Sequence, residues 1–295
     1  MRRRRNWVER VEIRNVEKIW AGRRTVDGAG VKLLRIFSNA EAHILDPFLL
    51  LDNFGSDNPD DYIAGFPWHP HRGIETVTYM MNGLVEHADS LGNAGSIRTG
   101  EVQWMTAGSG IIHQEMPKKT PGRSMGFQLW VNLPAKQKMC APKYRDVKAA
   151  DIPVVEIAKG VKAKVICGKA GSESGPVHDL AVDVEYLDVE MQPKSEMVRK
   201  AKSSHTAFAY VYEGKGYFGA GSAPAGEGQL LLFGKGEAVS AKAADGAVLK
   251  FILATGEPLR EGIAWGGPIV MNTEAELQQA FQELSAGTFI KHRKK

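Results

Sequence analysis

Cysteine is scarce in this chain: among 295 residues only Cys140 and Cys167 occur. They stand far apart with no second thiol nearby, which excludes a disulfide framework and points to reduced thiols in the cytoplasm. Long apolar runs are missing as well. Nothing approaches the ~18 residues that a membrane helix requires, so no membrane span is expected. The opening MRRRRNWVERVEIR has the charge of a signal peptide's first region, but no apolar stretch follows it, and secretion is not expected. Positive charge is in excess only at the ends. The formal net charge is +4, yet Arg2 to Arg5 and Lys291, Arg293, Lys294 and Lys295 sit in two terminal runs, which leaves a mildly acidic body. Without a helix-turn-helix, zinc-finger or aromatic-plus-basic strand signature, those tails read as solvated ends, and direct nucleic-acid contact is not expected.

What the chain has is strand-forming sequence. With 43% hydrophobic and 24% charged residues it has a globular composition, and its 32 glycines suit many tight turns. From Glu12 to about Val131, short β-branched or aromatic segments such as VKLLRIF, FLLLDNF, IETVTYMMNG and MGFQLWVNL are punctuated by turn residues, with no helical period between them. Asn82-Gly83 predicts a hairpin between TVTYMM and LVEHADS. Residues 133–153, rich in Lys, Pro and Ala, have no period and read as a linker. Strand patterns resume in VKAKVICG, AVDVEYLDVEM, TAFAYVYEG and AVLKFILATG. The expectation is an all-β fold of two similar halves, divided as residues 1–140 and 141–295. At the end, Thr273-Glu274-Ala275-Glu276 has the form of a capping box, Leu277, Phe281 and Leu284 follow at helical spacing, and Gly287 stands where a helix would stop. One short amphipathic C-terminal helix is expected there.

Two dyads carry the chemistry. In FPWHPHRGIETVTY, His69 and His71 are two residues apart, and in a strand such residues share a face. Pro70 between them cannot donate to a sheet ladder, so this strand belongs at an edge or a start. His113 and Glu115 in GSGIIHQEMP repeat the spacing. Brought together across a barrel, the dyads make a three-imidazole, one-carboxylate set that suits Fe(II), Mn, Ni, Cu or Zn and leaves open coordination positions. His87, His178, His205 and His292 stand alone in the sequence and read as structural or solvent-exposed.

The segments DPFLLLDNFG (46–55), FPWHPHRGIETVTYMMNG (66–83), GEVQWMTAGSGIIHQEMP (100–117) and QLWVNLPAKQKM (128–139) closely resemble the pirin family of the cupin superfamily, and the likeness extends to PIVMNTEAELQQAFQEL near the C-terminus. That resemblance implies a bicupin. Two tandem cupin-type β-barrels (double-stranded β-helix domains) would carry one mononuclear metal, usually iron, in the first, while the second lacks metal ligands. It also implies that the carboxylate ligand is Glu115 rather than Glu75, which is left either to support a ligand from behind or, the favoured reading, to pair elsewhere as a strand residue. The activity implied for some members is quercetin 2,3-dioxygenase-like: a flavonol meets the metal through its 3-hydroxyl, O2 adds, and the ring opens with loss of CO. Glu115 would serve as both ligand and base there, with Phe54, Phe66, Trp68 and Trp104 available for an aromatic entrance. The other implied role is non-enzymatic, a metal- or redox-dependent regulator acting through contacts with a protein partner. A cytoplasmic monomer is the default expectation.

Overall fold

The computed structural model describes residues 11–292; Arg2 to Arg5 and Arg293, Lys294 and Lys295 lie outside the described residues. After β1 (Val16–Ala21), the chain lays down β2 (Arg23–Asp27), β3 (Val31–Phe37), α1 (Asn39–Leu45), β4 (Phe48–Ser56), β5 (Phe66–His71), β6 (Ile74–Asn82), β7 (Leu84–Asp89) and β8 (Ala94–Arg98). Next come β9 (Val102–Thr106), β10 (Ile111–Lys118), β11 (Ser124–Asn132) and β12 (Lys143–Val147). They form a seven-stranded sheet, β12-β9-β6-β11-β4-β3-β2, and a four-stranded one, β5-β10-β7-β8. Together these make the first barrel.

The second barrel repeats the plan. It uses β13 (Val154–Ala158), β14 (Val161–Cys167), the short pair β15 (Lys169–Ala170) and β16 (Glu173–Ser174), β17 (Val184–Met191), β18 (Glu196–Lys200) and β19 (Thr206–Glu213). Then follow β20 (Lys215–Phe218), β21 (Ala223–Gly226), β22 (Gln229–Phe233), β23 (Ala238–Ala243) and β24 (Leu249–Gly256). Its large sheet runs β1-β22-β19-β24-β17-β14-β13 and its small one β18-β23-β20-β21. A hairpin of β25 (Ala264–Gly266) and β26 (Ile269–Met271) leads into α2 (Glu274–Ser285). No helix among the described residues is long and apolar enough to cross a membrane.

Strand alternation decides where each side chain goes. In β6, Val77 and Tyr79 point outward and meet the second barrel. Both large sheets carry apolar outer faces, so they stack, burying Trp104, Phe127 and Leu129 against Tyr186, Phe208 and Ile252. The second barrel's interior is filled with aliphatic and aromatic side chains, among them Leu187, Val189, Leu231 and Leu253.

Three expectations change. Asn82-Gly83 does not close a hairpin: β6 pairs with β9 and β11, whereas β7 pairs with β8 and β10 in the other sheet. The left-handed backbone at Gly83 (φ 123°) turns a corner between sheets, because the outer face of β6 must stay on the second barrel. The C-terminal helix is not the sole helix, since α1 follows the N-cap residue Ser38, whose backbone N–H donates to Glu41 at 3.0 Å; seven residues are too few for a legible period. At Thr273 the predicted capping box is formed. Thirdly, the two ends cross over relative to a division at residue 140. β1 is an edge strand of the second barrel, while β25, β26 and α2 pack on the first through Ile269, Leu277 and Phe289 beside Ile112.

Candidate metal centre

β5 lies at the edge of the small sheet, as Pro70 requires, and pairs antiparallel with β10 so that His69 faces His113 and His71 faces Ile111. This register brings three imidazoles together, with one ring nitrogen of each within 4.8 Å of the others. Ring centroids are 4.8 Å apart for His69–His71, 4.4 Å for His69–His113 and 5.0 Å for His71–His113.

The hydrogen bonds fix which nitrogen is free. His69 Nδ1 lies 2.9 Å from the Pro67 carbonyl oxygen and His71 Nδ1 lies 3.1 Å from that of Pro268. A carbonyl only accepts, so each Nδ1 carries the proton and each Nε2 presents a lone pair in the neutral ring. Those two Nε2 atoms face each other at 3.0 Å. Neither can donate to the other, and a cation between them satisfies both. His113 adds to the argument: it is 1% exposed and neither ring nitrogen has a partner among the described residues. Burial holds the His71 pKa down near 3 and that of His113 well below its usual value, so both rings stay neutral, the form that binds metal. The three histidines therefore fit a divalent ion.

Glu115 follows on β10 with its side chain in the same cavity. Its Oε1 accepts from the Thr78 hydroxyl at 2.9 Å, and it is not within the tight group formed by the three rings. Glu75 is elsewhere. The turn at Arg72-Gly73 carries the chain from the small sheet to the large one, and a side chain on Gly73 would collide with the Val270 carbonyl oxygen. Glu75 consequently points out of the barrel, where it accepts from Trp104 Nε1 at 2.9 Å and Thr106 Oγ1 at 2.6 Å, with Arg145 at 3.8 Å.

His69 and His71 open on a cavity of about 650 Å³ inside the first barrel. Phe54, Phe66 and Trp68 line it, whereas Trp104, fully buried between the barrels, does not. Two indoles not anticipated from the sequence take part. Trp130 meets the His71 ring edge-on at 5.1 Å and stacks on Trp265 at 5.9 Å. Trp265 and the Pro268 carbonyl come from the hairpin that follows the second barrel, so the end of the chain completes a centre built near its beginning.

Two of the isolated histidines have company. His87, buried in mid-strand, pairs in register with Glu115, and its Nε2 lies 2.8 Å from Gln103 Nε2. His205, also buried, has Asp183 and Glu257 beside it at the mouth of the second barrel, with one donor atom of each within 4.8 Å of the others. These three residues are scattered in sequence, so no spacing signalled them, and Lys202 also reaches Asp183. His178 and His292 are exposed.

Comparison with known proteins agrees with this arrangement. Residues 30–131 match the Pirin family and residues 186–290 match the Pirin C-terminal cupin domain. A pirin-like protein of Caulobacter vibrioides is 44% identical over 278 residues, covering 94% of this chain and 99% of that one. A pirin-like protein of Solanum lycopersicum is 41% identical over 92% and 91%. The crystal structure of a quercetin 2,3-dioxygenase from Acinetobacter baumannii superposes with a TM-score of 0.87 at 32% identity, covering 94% of this chain and 98% of that one. With both barrels matched in order and a relative this similar along almost its whole length, the chain belongs to the pirin family.

Proposed function

We propose that this protein is a quercetin 2,3-dioxygenase-type enzyme with Fe(II) as its ion, which cleaves a flavonol with O2. The observation that carries this reading is the convergence of three imidazoles, two of them buried and held neutral, beside an aromatic-walled cavity of about 650 Å³ that His69 and His71 line. The likeness to the Acinetobacter enzyme supports it.

In this reading His69, His71 and His113 hold the ion and Glu115 is its fourth ligand. Bound there, the ion supplies Lewis acidity toward the substrate's 3-hydroxyl and redox access to O2. Glu115 takes the 3-hydroxyl proton, and Thr78, donating to one carboxylate oxygen, keeps the other turned to the reacting atoms. Trp130 and Phe66 provide flat walls for a planar substrate, and Trp68, 53% exposed, stands at the rim. The balance is simple. Both atoms of O2 enter the ring-opened aryl ester, the carbon bearing the 3-hydroxyl leaves as CO, and the proton held by Glu115 returns to the new carboxylate.

The test is O2-dependent consumption of quercetin with release of CO by iron-loaded protein, lost in His71→Ala and Glu115→Ala. Metal-loaded protein that turns over none of several flavonols would overturn the enzymatic reading and leave regulation through protein contacts.

A further inference from the structure

A row of polar side chains crosses the floor of the first barrel. Arg35 on β3 is the register partner of Asp52 on β4, Asp52 of Gln128 on β11, Gln128 of Thr78 on β6, and Thr78 of Gln103 on β9. All five point into the barrel. Each lies inside a strand rich in apolar residues, as in VKLLRIF, FLLLDNFGS, SMGFQLWVN, IETVTYMMN and VQWMT.

The fold does not demand such a row. The corresponding strands of the second barrel carry Val165, Leu187, Leu253, Ala209 and Leu231 in one cross-strand row, all part of its packed core. Asp52 is only 5% exposed, and burying a carboxylate costs stability unless something is gained from it.

The row links the metal centre to the far wall of the cavity. The Thr78 hydroxyl is shared between Glu115 Oε1 at 2.9 Å and Gln128 Oε1 at 2.6 Å. At the other end Arg35 grips Asp52 side-on, with Nε 2.9 Å from Oδ1 and Nη2 2.7 Å from Oδ2, while Nη2 also reaches Asp27 Oδ2 at 2.6 Å. This grip uses Nε and Nη2 and leaves Nη1 without a partner among the described residues. Arg35, Asp52 and Asp27 all line the cavity that holds His69, His71 and Glu115. Three strand spacings separate Thr78 from Arg35, about 14 Å, a span that suits an extended molecule of several rings.

We propose that the Arg35–Asp52 pair is a specificity element, which binds the hydroxyl-bearing end of an aromatic substrate whose other end lies at the three imidazoles. The inference rests on the reading of this cavity as a substrate pocket. Charge decides the class of group bound. Two carboxylates, Asp27 and Asp52, flank one guanidinium, so the local balance is negative and a substrate carboxylate is repelled. A neutral hydroxyl fits, because it accepts from Nη1 and donates to a carboxylate lone pair.

The experiment measures dissociation constants of iron-loaded protein, by fluorescence quenching, for three flavonols. They differ only on the ring remote from the 3-hydroxyl, which is unsubstituted, dihydroxylated or carboxylated. The wild type is expected to bind the dihydroxylated flavonol about tenfold or more tighter than the unsubstituted one, with the carboxylated one weakest. In Arg35→Gln/Asp52→Asn, an uncharged pair of similar shape, the hydroxyl preference is expected to fall below about threefold. A preference retained in this variant, or a carboxylated flavonol that binds tightest to the wild type, overturns the inference. If the variant does not fold, the wild-type series decides alone. Equal binding of all three flavonols overturns this inference while leaving the pocket reading intact, whereas binding of none overturns both.

Discussion

His71 is oriented by a carbonyl 197 residues away in sequence: its Nδ1 lies 3.1 Å from the oxygen of Pro268. The neighbouring Arg72 ties the same two regions together, donating to the Ser109 carbonyl at 2.7 Å and the Phe289 carbonyl at 2.9 Å, with Glu283 of α2 at 2.8 Å. Arg72→Met removes this clamp and leaves buried carbonyls unpaired. A loss of roughly 3 kcal/mol in denaturant unfolding is expected, together with weaker metal retention on dialysis against a chelator. Full metal retention in a destabilised variant would show that the clamp serves stability alone.

Metal content separates the ligands from their neighbours. Protein purified without added metal is expected to carry a single iron ion per chain, and His113→Ala to carry none, measured by plasma emission. Added Fe(II) should raise the melting temperature of the metal-free wild type but not of that variant, since binding to the folded state alone stabilises it.

The two carboxylates differ in the same assay. Glu75→Gln is expected to keep its metal, because that side chain is bonded between the barrels to Trp104 and Thr106. Its cost is to stability, about 1–3 kcal/mol, since a buried charged acceptor loses strength on both bonds. Glu115→Gln should instead lower metal affinity. The reverse pattern would move the fourth ligand to Glu75.

Asp52 gives the pH dependence a sign. Burial, opposed by Arg35, raises its pKa from 3.8 to about 6. Between those values the folded chain holds a proton that the unfolded chain has released, so this group's contribution to stability falls as pH rises through that window. Relative to Asp52→Asn, wild-type stability should decline across it by up to about 3 kcal/mol. Urea unfolding of both proteins at several pH values measures the difference, and a flat difference would remove Asp52 as its source.

Much of the site was legible in the sequence, because strand geometry has a period of two and writes shared faces directly into neighbouring residues. His69 and His71 had to point the same way, as did His113 and Glu115, and Pro70 had to sit on an edge. Where position depends on which strands become neighbours, the pattern was silent. Glu75 follows the histidines closely, yet the turn at Arg72-Gly73 sends it to the opposite side of a sheet. His205, Asp183 and Glu257 meet only because three strand ends of the second barrel lie together.

The sequence by itself determined the strand-rich, two-part fold, the capped C-terminal helix and the pair of dyads, since local propensity, alternation and capping act over a few residues. Only the tertiary structure decided that the last hairpin returns to hold His71, that Trp130 and Trp265 stack beside it, and that Arg35, Asp52, Gln128, Thr78 and Gln103 form one row. No spacing along the chain signalled that row. Cross-strand register, set by the stacking of the two apolar sheet faces, is what makes neighbours of residues far apart along the chain.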